Sequence, residues 1–293
     1  MRRHPIIFGL LLLVVIGVLF FLLVYGISSL SGDEKIISLN DRIGVVEIKG
    51  VIEASKEIVD QLDHYSDNDD IKAIVLRIDS PGGAVVPSQE IYDKVLQVKK
   101  KKKIAVSMGS VAASGGYYIA CAADKIVANP GTITGSIGVV IQIPQLKELL
   151  KKIGLRSTVI KRGKYKDVGS PARDMTPEEK VLLQGVVDDI YEQFVEAITV
   201  NRNIDREKVV VIADGRIFTG RQAVDLGLVD ELGNMEHTID LAARLSGIEG
   251  EPQVVYPKKR KRSLIRYIIN EVILAISSHI KGEETGIHYI YAE

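Results

Sequence analysis

The sequence predicts an α/β fold in which a mostly parallel sheet is covered by helices, preceded by one transmembrane helix. From about residue 38 onward, short β-branched runs of strand length alternate with helical patterns, which is typical of parallel strands joined by helical crossovers. Near the N-terminus, an uncharged run of 22 residues is long enough to cross a bilayer. The 293 residues therefore allow an anchor and one domain of ordinary size.

The apolar run Ile6–Ile27 follows two arginines and precedes Asp33 and Glu34. The positive-inside rule then predicts an N-terminus in the cytoplasm and a domain on the other side of the cytoplasmic membrane. A cleaved signal peptide is the alternative, but the run is long for one and "YGISSLSG" is a poor cleavage site. The predicted organisation is a cytoplasmic N-terminus (1–5), an anchor (6–28), a linker (29–42), a globular domain (43–250) and a basic, amphipathic tail (251–293).

The elements of the domain follow from local patterns. Two helices are predicted: one with Ile91 and Val95 on its buried face, and a long one that opens at a capping box, Thr176–Glu179, with Pro177 as its first residue. The predicted strands are residues 43–49, 73–78, 104–108, 125–128 and 157–161.

Composition excludes several function classes. Lys and Arg together equal Asp and Glu, so the overall charge gives no indication of nucleic-acid binding. The single cysteine, Cys121, excludes an internal disulfide, and its apolar helical context predicts a buried, inert thiol. No CxxC or HExxH pattern offers a metal site, and no cofactor is expected.

The segment "SMGSVAASGGYYIACAADKIVA" (107–128) surrounds Ser114 with small residues. A strand followed by a helix places this serine near a helix N-terminus, where free backbone N–H groups favour a developing negative charge. A plain N-cap serine beside a tight helix–sheet contact is the alternative. The segment "DSPGG" (79–83) also follows a strand and precedes a helix, and its glycines can present N–H groups in the same way, or form an ordinary turn.

Four motifs occur in a consistent order between Ile43 and Gly247: "DSPGG", "MGSVAASGGYYIACAADKIVANPGTITGSIGV", "GKYKD" and "DGRIFTGRQAVDLGLVDELG". Together they resemble the signal peptide peptidase A family in its short, single-domain form. The resemblance implies a Clp protease/crotonase-like fold of repeated β-β-α units. It also implies that residues 43–250 form a serine–lysine peptidase domain.

The resemblance also implies the site. The family's nucleophile falls on Ser114 and its general-base lysine on Lys166 of "GKYKD". The oxyanion donors correspond to the backbone amides of Gly83 and Gly115, and Ser136 corresponds to a serine that hydrogen-bonds the lysine. No histidine has a suitable context for a triad, and no metal is expected.

A lysine amine can take the serine proton only when it is uncharged, which requires a dry environment and no acidic partner. Lys164 is the nearby competitor of Lys166, and the family pattern favours Lys166.

The resemblance implies a serine endopeptidase that degrades remnant signal peptides and other apolar peptides at the outer face of the cytoplasmic membrane. It also implies a homo-oligomeric ring in which serine and lysine come from neighbouring subunits. Three alternatives remain: a crotonase-like acyl-CoA enzyme, a Clp-like protease, for which no His/Asp pair is found, and a non-catalytic scaffold.

The tail contains a basic cluster (258–262) and an apolar helical face (264–276), which is typical of a helix lying on anionic lipid or packing on a neighbouring subunit. The terminal "HYIYAE" (288–293) is mostly apolar, and a further hypothesis is that it reaches the active site as a pseudo-substrate.

Overall fold

The computed structural model describes residues 18–19 and 41–257, and the backbone of residues 287–290. Residues 1–40 and 41–293 fall into two separate units. In the second unit, a parallel sheet has the strand order β10-β1-β2-β4-β5-β9. Outside this order, β6 pairs with the end of β4 in parallel and with β8 in antiparallel orientation. These strands are β1 (Arg42–Lys49), β2 (Ile71–Ser80), β4 (Lys103–Ala113), β5 (Lys125–Ala128), β6 (Ile133–Gly135), β8 (Ile217–Thr219), β9 (Glu231–Leu232) and β10 (Gln253–Val255).

Helices cover both faces of this sheet, which explains the unbroken apolar run at residues 73–76 of β2. Ile74, Leu76 and Ile78 join one buried cluster, whereas Ala73 and Val75 join another on the opposite face. The helices are α1 (Lys56–Asp67), α2 (Val85–Lys99), α3 (Gly115–Ala120), α4 (Lys147–Lys152), α5 (Pro177–Arg202), α6 (Arg206–Ile212), α7 (Gly220–Asp225) and α8 (Met235–Ser246). The first cluster includes side chains of α1, α2, α3 and α5, and the second includes side chains of α8.

A second, three-stranded sheet has the order β3-β11-β7 and is antiparallel throughout. Its strands are β3 (Gly82–Ala84), β7 (Val140–Ile141) and β11 (Ile287–Ile290). The central strand thus comes from the end of the chain, and it lies between two strands that are separated in sequence from it and from each other.

Most predicted elements are confirmed. Four of the five predicted strands are present, and the strand predicted at 104–108 is longer because it pairs first with β2 and then with β6. The capping box at Thr176 is present with Pro177 as the first helical residue, and Ile91 and Val95 are fully buried in α2.

The strand predicted at 157–161 is wrong. These residues have no regular secondary structure, and Ile160 is 98% exposed. A β-branched run forms a strand only where a neighbouring strand supplies ladder hydrogen bonds. Within the described chain, no strand pairs with residues 157–161.

The predicted anchor and the helical part of the tail lie outside the described residues. Among the residues that are described, no helix is both long and apolar enough to cross a membrane.

Candidate active site

Ser114 lies where β4 ends and α3 begins, with only 1% of its surface exposed. Its backbone has φ 52° and ψ −118°, a conformation that few residues other than glycine adopt. An ordinary N-cap serine has an extended backbone and binds an N–H of the first turn, but this side chain makes no capping hydrogen bond. The simple N-cap interpretation therefore does not fit, and the strained backbone instead holds a hydroxyl at the end of the sheet.

The first residue of α3 is Gly115, so its N–H has no acceptor within the helix. It is buried and directly follows the candidate nucleophile. A serine hydroxyl and an uncommitted N–H on consecutive residues are the arrangement that acyl transfer requires, because the N–H can stabilise the oxygen that becomes charged.

Gly83 lies in β3, against the backbone of Ile52. The Ile52 N–H donates to the carbonyl of Gly82 at 2.8 Å, and the Ala84 N–H donates to the carbonyl of Ile52 at 2.8 Å. Since successive residues of a strand direct their backbone groups to opposite sides, the Gly83 N–H points away from Ile52, toward the side where β11 lies. A Cβ on Gly83 would come within 2.2 Å of the Ile52 carbonyl oxygen, so only glycine fits here.

Ile52 was not identified from the sequence as part of this site, because the glycines of "DSPGG" indicated only N–H groups free of side-chain obstruction or an ordinary turn. Only the tertiary structure shows which segment approaches.

The remaining residues of "DSPGG" hold the loop in place. The carboxylate of Asp79 accepts a hydrogen bond from the Val111 N–H at 3.1 Å, and the Ser80 hydroxyl accepts one from the Gly82 N–H at 3.1 Å. Ser80 also pairs with Ala112 across the strands. The two loops predicted to act together therefore lie side by side, and α3 contacts β3.

Ser136 follows Gly135, the residue whose backbone pairs with the candidate nucleophile. The Ser114 N–H donates to the Gly135 carbonyl at 2.8 Å, and Ser136 follows with φ 49° and 7% exposure. Two successive residues with positive φ turn the chain sharply after β6, which leaves the Ser136 side chain buried beside the end of β4.

Lys166 is not brought to Ser114 within the chain. It lies in a series of turns between α4 and α5, is exposed, and within the described residues makes no side-chain hydrogen bond to Ser114 or Ser136. The expected dry cleft around its amine is therefore absent from the single chain as described.

Lys164 differs from Lys166 in its surroundings. Its amine lies 3.6 Å from the carboxylate of Glu178 and 5.2 Å from the centre of the Tyr165 ring. A hydrogen bond with Tyr165, followed by the charge of Glu178, raises the pKa of Lys164, which favours the protonated amine over the neutral one that a general base needs.

The other candidate reactive groups are accounted for structurally. Cys121 is fully buried, its thiol donates to the Tyr118 carbonyl at 3.0 Å, and burial raises its pKa to about 12, so the prediction of an inert thiol is confirmed. His64 is exposed, and His237 pairs with Glu231 at 2.8 Å on the surface.

Comparison with known proteins agrees with this geometry. Residues 96–249, more than half of the chain, match the profile of Peptidase family S49. The chain belongs to this family. It is a serine-type peptidase, and its residues 32–132 also match the Clp protease profile, in agreement with its mixed α/β sheet.

Several curated relatives of the S49 peptidase have names that agree with this assignment. It is 46% identical to "Putative protease slr0021" of Synechocystis, over 72% of this chain and 77% of the relative. It is 37% identical to "Putative protease MJ0651" of Methanocaldococcus jannaschii, over 70% of this chain and 66% of the relative. It is 39% identical to "Putative signal peptide peptidase SppA" of Enterococcus faecium, over 61% of this chain and 53% of that protein.

Proposed function

We propose that the chain is a membrane-anchored endopeptidase that cleaves extended apolar peptides, remnant signal peptides among them, through a dyad of Ser114 and Lys166. The observation that carries the proposal is the strained, buried Ser114 at the start of α3, beside the strand whose Gly83 N–H points toward β11. β11 lies between β3 and β7 and pairs with both, and we call the position that it occupies the cleft.

The cleft between β3 and β7 accepts a peptide as an added strand. Tyr289 of β11 lies opposite Gly83 and His288 lies opposite both Ala84 and Val140, so the peptide backbone is bound on both edges. Backbone pairing of this kind binds many sequences, while the side chains set the preference. It supports a peptidase with extended substrates, and it agrees with the hypothesis that the C-terminus acts as a pseudo-substrate.

The proposed chemistry is acyl transfer. Lys166, in its neutral form, accepts the proton of the Ser114 hydroxyl, and the serine oxygen attacks the peptide carbonyl. The N–H groups of Gly83 and Gly115 stabilise the oxyanion, and Ser136 orients the amine without stabilising its charge. The lysine then donates its proton to the leaving amine, and water hydrolyses the acyl-enzyme.

We place the lysine of one chain at the serine of a neighbouring chain. Lys166 is exposed within its own chain, and so are large apolar side chains that precede it in sequence: Leu149, Leu155 and Ile160 are 55%, 58% and 98% exposed. A soluble domain rarely leaves so much apolar surface uncovered. A second copy that covers this surface would exclude water from the amine and supply the missing base to Ser114.

Peptide hydrolysis by the anchorless domain tests the dyad. Ser114→Ala and Lys166→Ala should each abolish cleavage, while Lys164→Ala, the matched control two residues away, should retain most of it. Peptide cleavage by Ser114→Ala would instead show that Ser114 is not the nucleophile. Activity in Lys166→Ala together with loss of activity in Lys164→Ala would assign the general base to Lys164.

Coexpression of the two inactive variants, Ser114→Ala and Lys166→Ala, tests whether neighbouring chains share the dyad. In a mixed ring, some interfaces join the intact serine of one variant to the intact lysine of the other. About a quarter of wild-type activity per subunit should therefore return when both are present in equal amounts, because each site draws on two chains. Continued inactivity of verified mixed rings would place both residues of the dyad in one chain.

The anchor is tested by cysteine labelling in intact cells, for which this chain is well suited because its own Cys121 is buried. A membrane-impermeant maleimide should label Ser38→Cys, on the outer side of the proposed anchor, and should leave His4→Cys unlabelled until the membrane is opened. The reverse pattern would contradict the proposed orientation.

A further inference from the structure

The loop that carries Lys166 is held by charged side chains rather than by regular secondary structure. Between residues 161 and 170 the backbone makes only short turns, such as the Lys166 N–H donating to the Gly163 carbonyl at 3.3 Å. A loop without ladder hydrogen bonds needs other contacts to keep one conformation. Here four residues supply them, and we call them the ionic clamp: Lys161, Asp167, Arg173 and Glu179.

Arg173 is the centre of the clamp. Its Nε donates to the Asp167 carboxylate at 2.9 Å, and another of its nitrogens donates to the backbone carbonyl of Asp167 at 3.2 Å. Its two terminal nitrogens both bind the Glu179 carboxylate, one of them at 2.8 Å. The planar guanidinium thus holds two carboxylates in a fixed relation, which a flexible ammonium would not do.

The amine of Lys161 holds the other side of the loop. It donates to the carbonyl of Lys164 at 2.9 Å and binds the carboxylate of Asp167. These two acceptors lie on either side of Lys166 in the sequence, so this lysine closes the turn from which the proposed base projects.

Glu179 connects the clamp to a rigid element. It is the third residue of α5, and its carboxylate accepts the Thr176 N–H at 2.9 Å within the capping box. Its side chain is only 4% exposed, compared with 65% for the neighbouring Glu178. The loop is thereby fixed to the first turn of a 26-residue helix.

The clamp also occupies the carboxylate nearest to the base. Asp167 follows Lys166 directly, and a free carboxylate there would pair with the amine and keep it protonated. Arg173 and then Lys161 hold the pKa of Asp167 well below its usual range, so it stays ionised and engaged with them. The other charged pairs of this region are Lys147 with Asp174 and Lys164 with Glu178, both at the surface.

Resting on the proposed function, we propose that the ionic clamp positions Lys166 and keeps Asp167 from pairing with its amine. Its members are positioning residues, since none of them touches the reacting atoms. They fix the loop on α5, so that the Lys166 amine is already positioned when the interface between two chains forms. They also bind the Asp167 carboxylate, which would otherwise pair with this amine.

The test measures kcat, KM and the pH profile of the full-length protein carrying Arg173→Gln. With Asp167 partly released, kcat should fall by about 10- to 100-fold with little change in KM, because a small displacement of a catalytic group has such an effect. The rise of kcat with pH should also move to higher pH. Arg173→Lys, which keeps the charge but not the fork, should recover only part of the rate.

Two further variants separate the positioning of Lys166 from the binding of the Asp167 carboxylate. Asp167→Asn removes the carboxylate itself, so kcat should fall while the pH profile stays where it is in the wild type. Glu179→Gln keeps a capping side chain and removes the charge, and it should lower kcat, whereas the exposed neighbour Glu178→Gln should not. Circular dichroism and size-exclusion chromatography would verify fold and assembly, and if Arg173→Gln fails to fold, these variants decide.

Wild-type kcat and pH profile in folded Arg173→Gln, or in folded Asp167→Asn and Glu179→Gln together, would overturn the clamp. The proposed dyad would survive that result, because it depends on the loss of activity in Lys166→Ala. Activity in Lys166→Ala would instead overturn the dyad, whatever the clamp variants do.

Discussion

The serine and the lysine lie in regions that are built differently. Ser114 stands at the end of a sheet buried on both faces, between strands whose backbone groups are paired. Lys166 stands in turns held by an ionic clamp, in a segment whose apolar side chains are largely exposed. This difference is the basis of the proposal that one chain supplies the nucleophile and oxyanion groups while a second chain supplies the base.

The long helix α5 shows the same contrast within one element. Phe194 and Ile198, in its C-terminal half, are fully buried, whereas Val181 and Val186, in its N-terminal half, are 73% and 40% exposed. At 100° per residue, Val181 and Val186 lie on other faces of the helix than Phe194 and Ile198, so the single chain leaves apolar side chains exposed outside the buried stripe.

The largest expected effect is in the serine region. Gly83→Ala should reduce kcat at least about 100-fold and lower the free energy of unfolding by about 2 kcal/mol or more, because its Cβ would overlap the Ile52 carbonyl. Denaturant unfolding and peptide hydrolysis measure the two losses. The control is Gly131→Ala, where an added Cβ has open space; an equal loss there would remove the steric explanation.

An intermediate effect is expected in the lysine region. Ile160→Asp should leave the unfolding of the monomer unchanged, since this side chain is 98% exposed, but it should weaken assembly and thereby activity by about tenfold. Analytical ultracentrifugation over a dilution series measures the assembly. Val200→Asp, at another exposed position of the domain, is the control, and equal assembly in both variants would contradict an interface at residue 160.

A smaller effect is expected where the tail enters the cleft. Deleting residues 287–293 should lower KM for peptides several-fold with kcat unchanged, because a strand that occupies the site reduces the fraction open to substrate. Tyr289→Pro in the full-length tail should act in the same direction, since proline cannot donate in a ladder. An unchanged KM in both would show that β11 does not compete. Mass spectrometry of wild type and Ser114→Ala would reveal any self-processing.

The smallest effect concerns acid stability. Arg173, and then the Thr176 backbone, lower the pKa of Glu179 to about 2 from its ordinary 4.5. The native state therefore gains stability that is complete above the ordinary value and is lost as pH falls toward about 2. Thermal unfolding across this range should show a shallower pH dependence for Glu179→Gln than for the wild type, with Glu178→Gln matching the wild type. Identical slopes would contradict the assigned charge pair.

Much of the catalytic region could be predicted from the sequence because its signals are local. Alternation of β-branched runs with helical patterns predicts the parallel sheet, and Thr176 with Glu179 predicts the start of α5 within one turn of chain. The small residues around Ser114 indicate close backbone approach, and the glycines of "DSPGG" indicate unobstructed N–H groups, before any partner is known.

The remaining features depend on partners far away in sequence, so only the tertiary structure decided them. The run 157–161 has strand composition but no neighbouring strand, whereas residues 287–290 form a strand because β3 and β7 flank them. The direction of the Gly83 N–H depends on Ile52, and the clamp depends on Arg173 reaching two carboxylates at once. Local pattern determines what a segment can form, and the neighbours that folding brings to it determine what it does form.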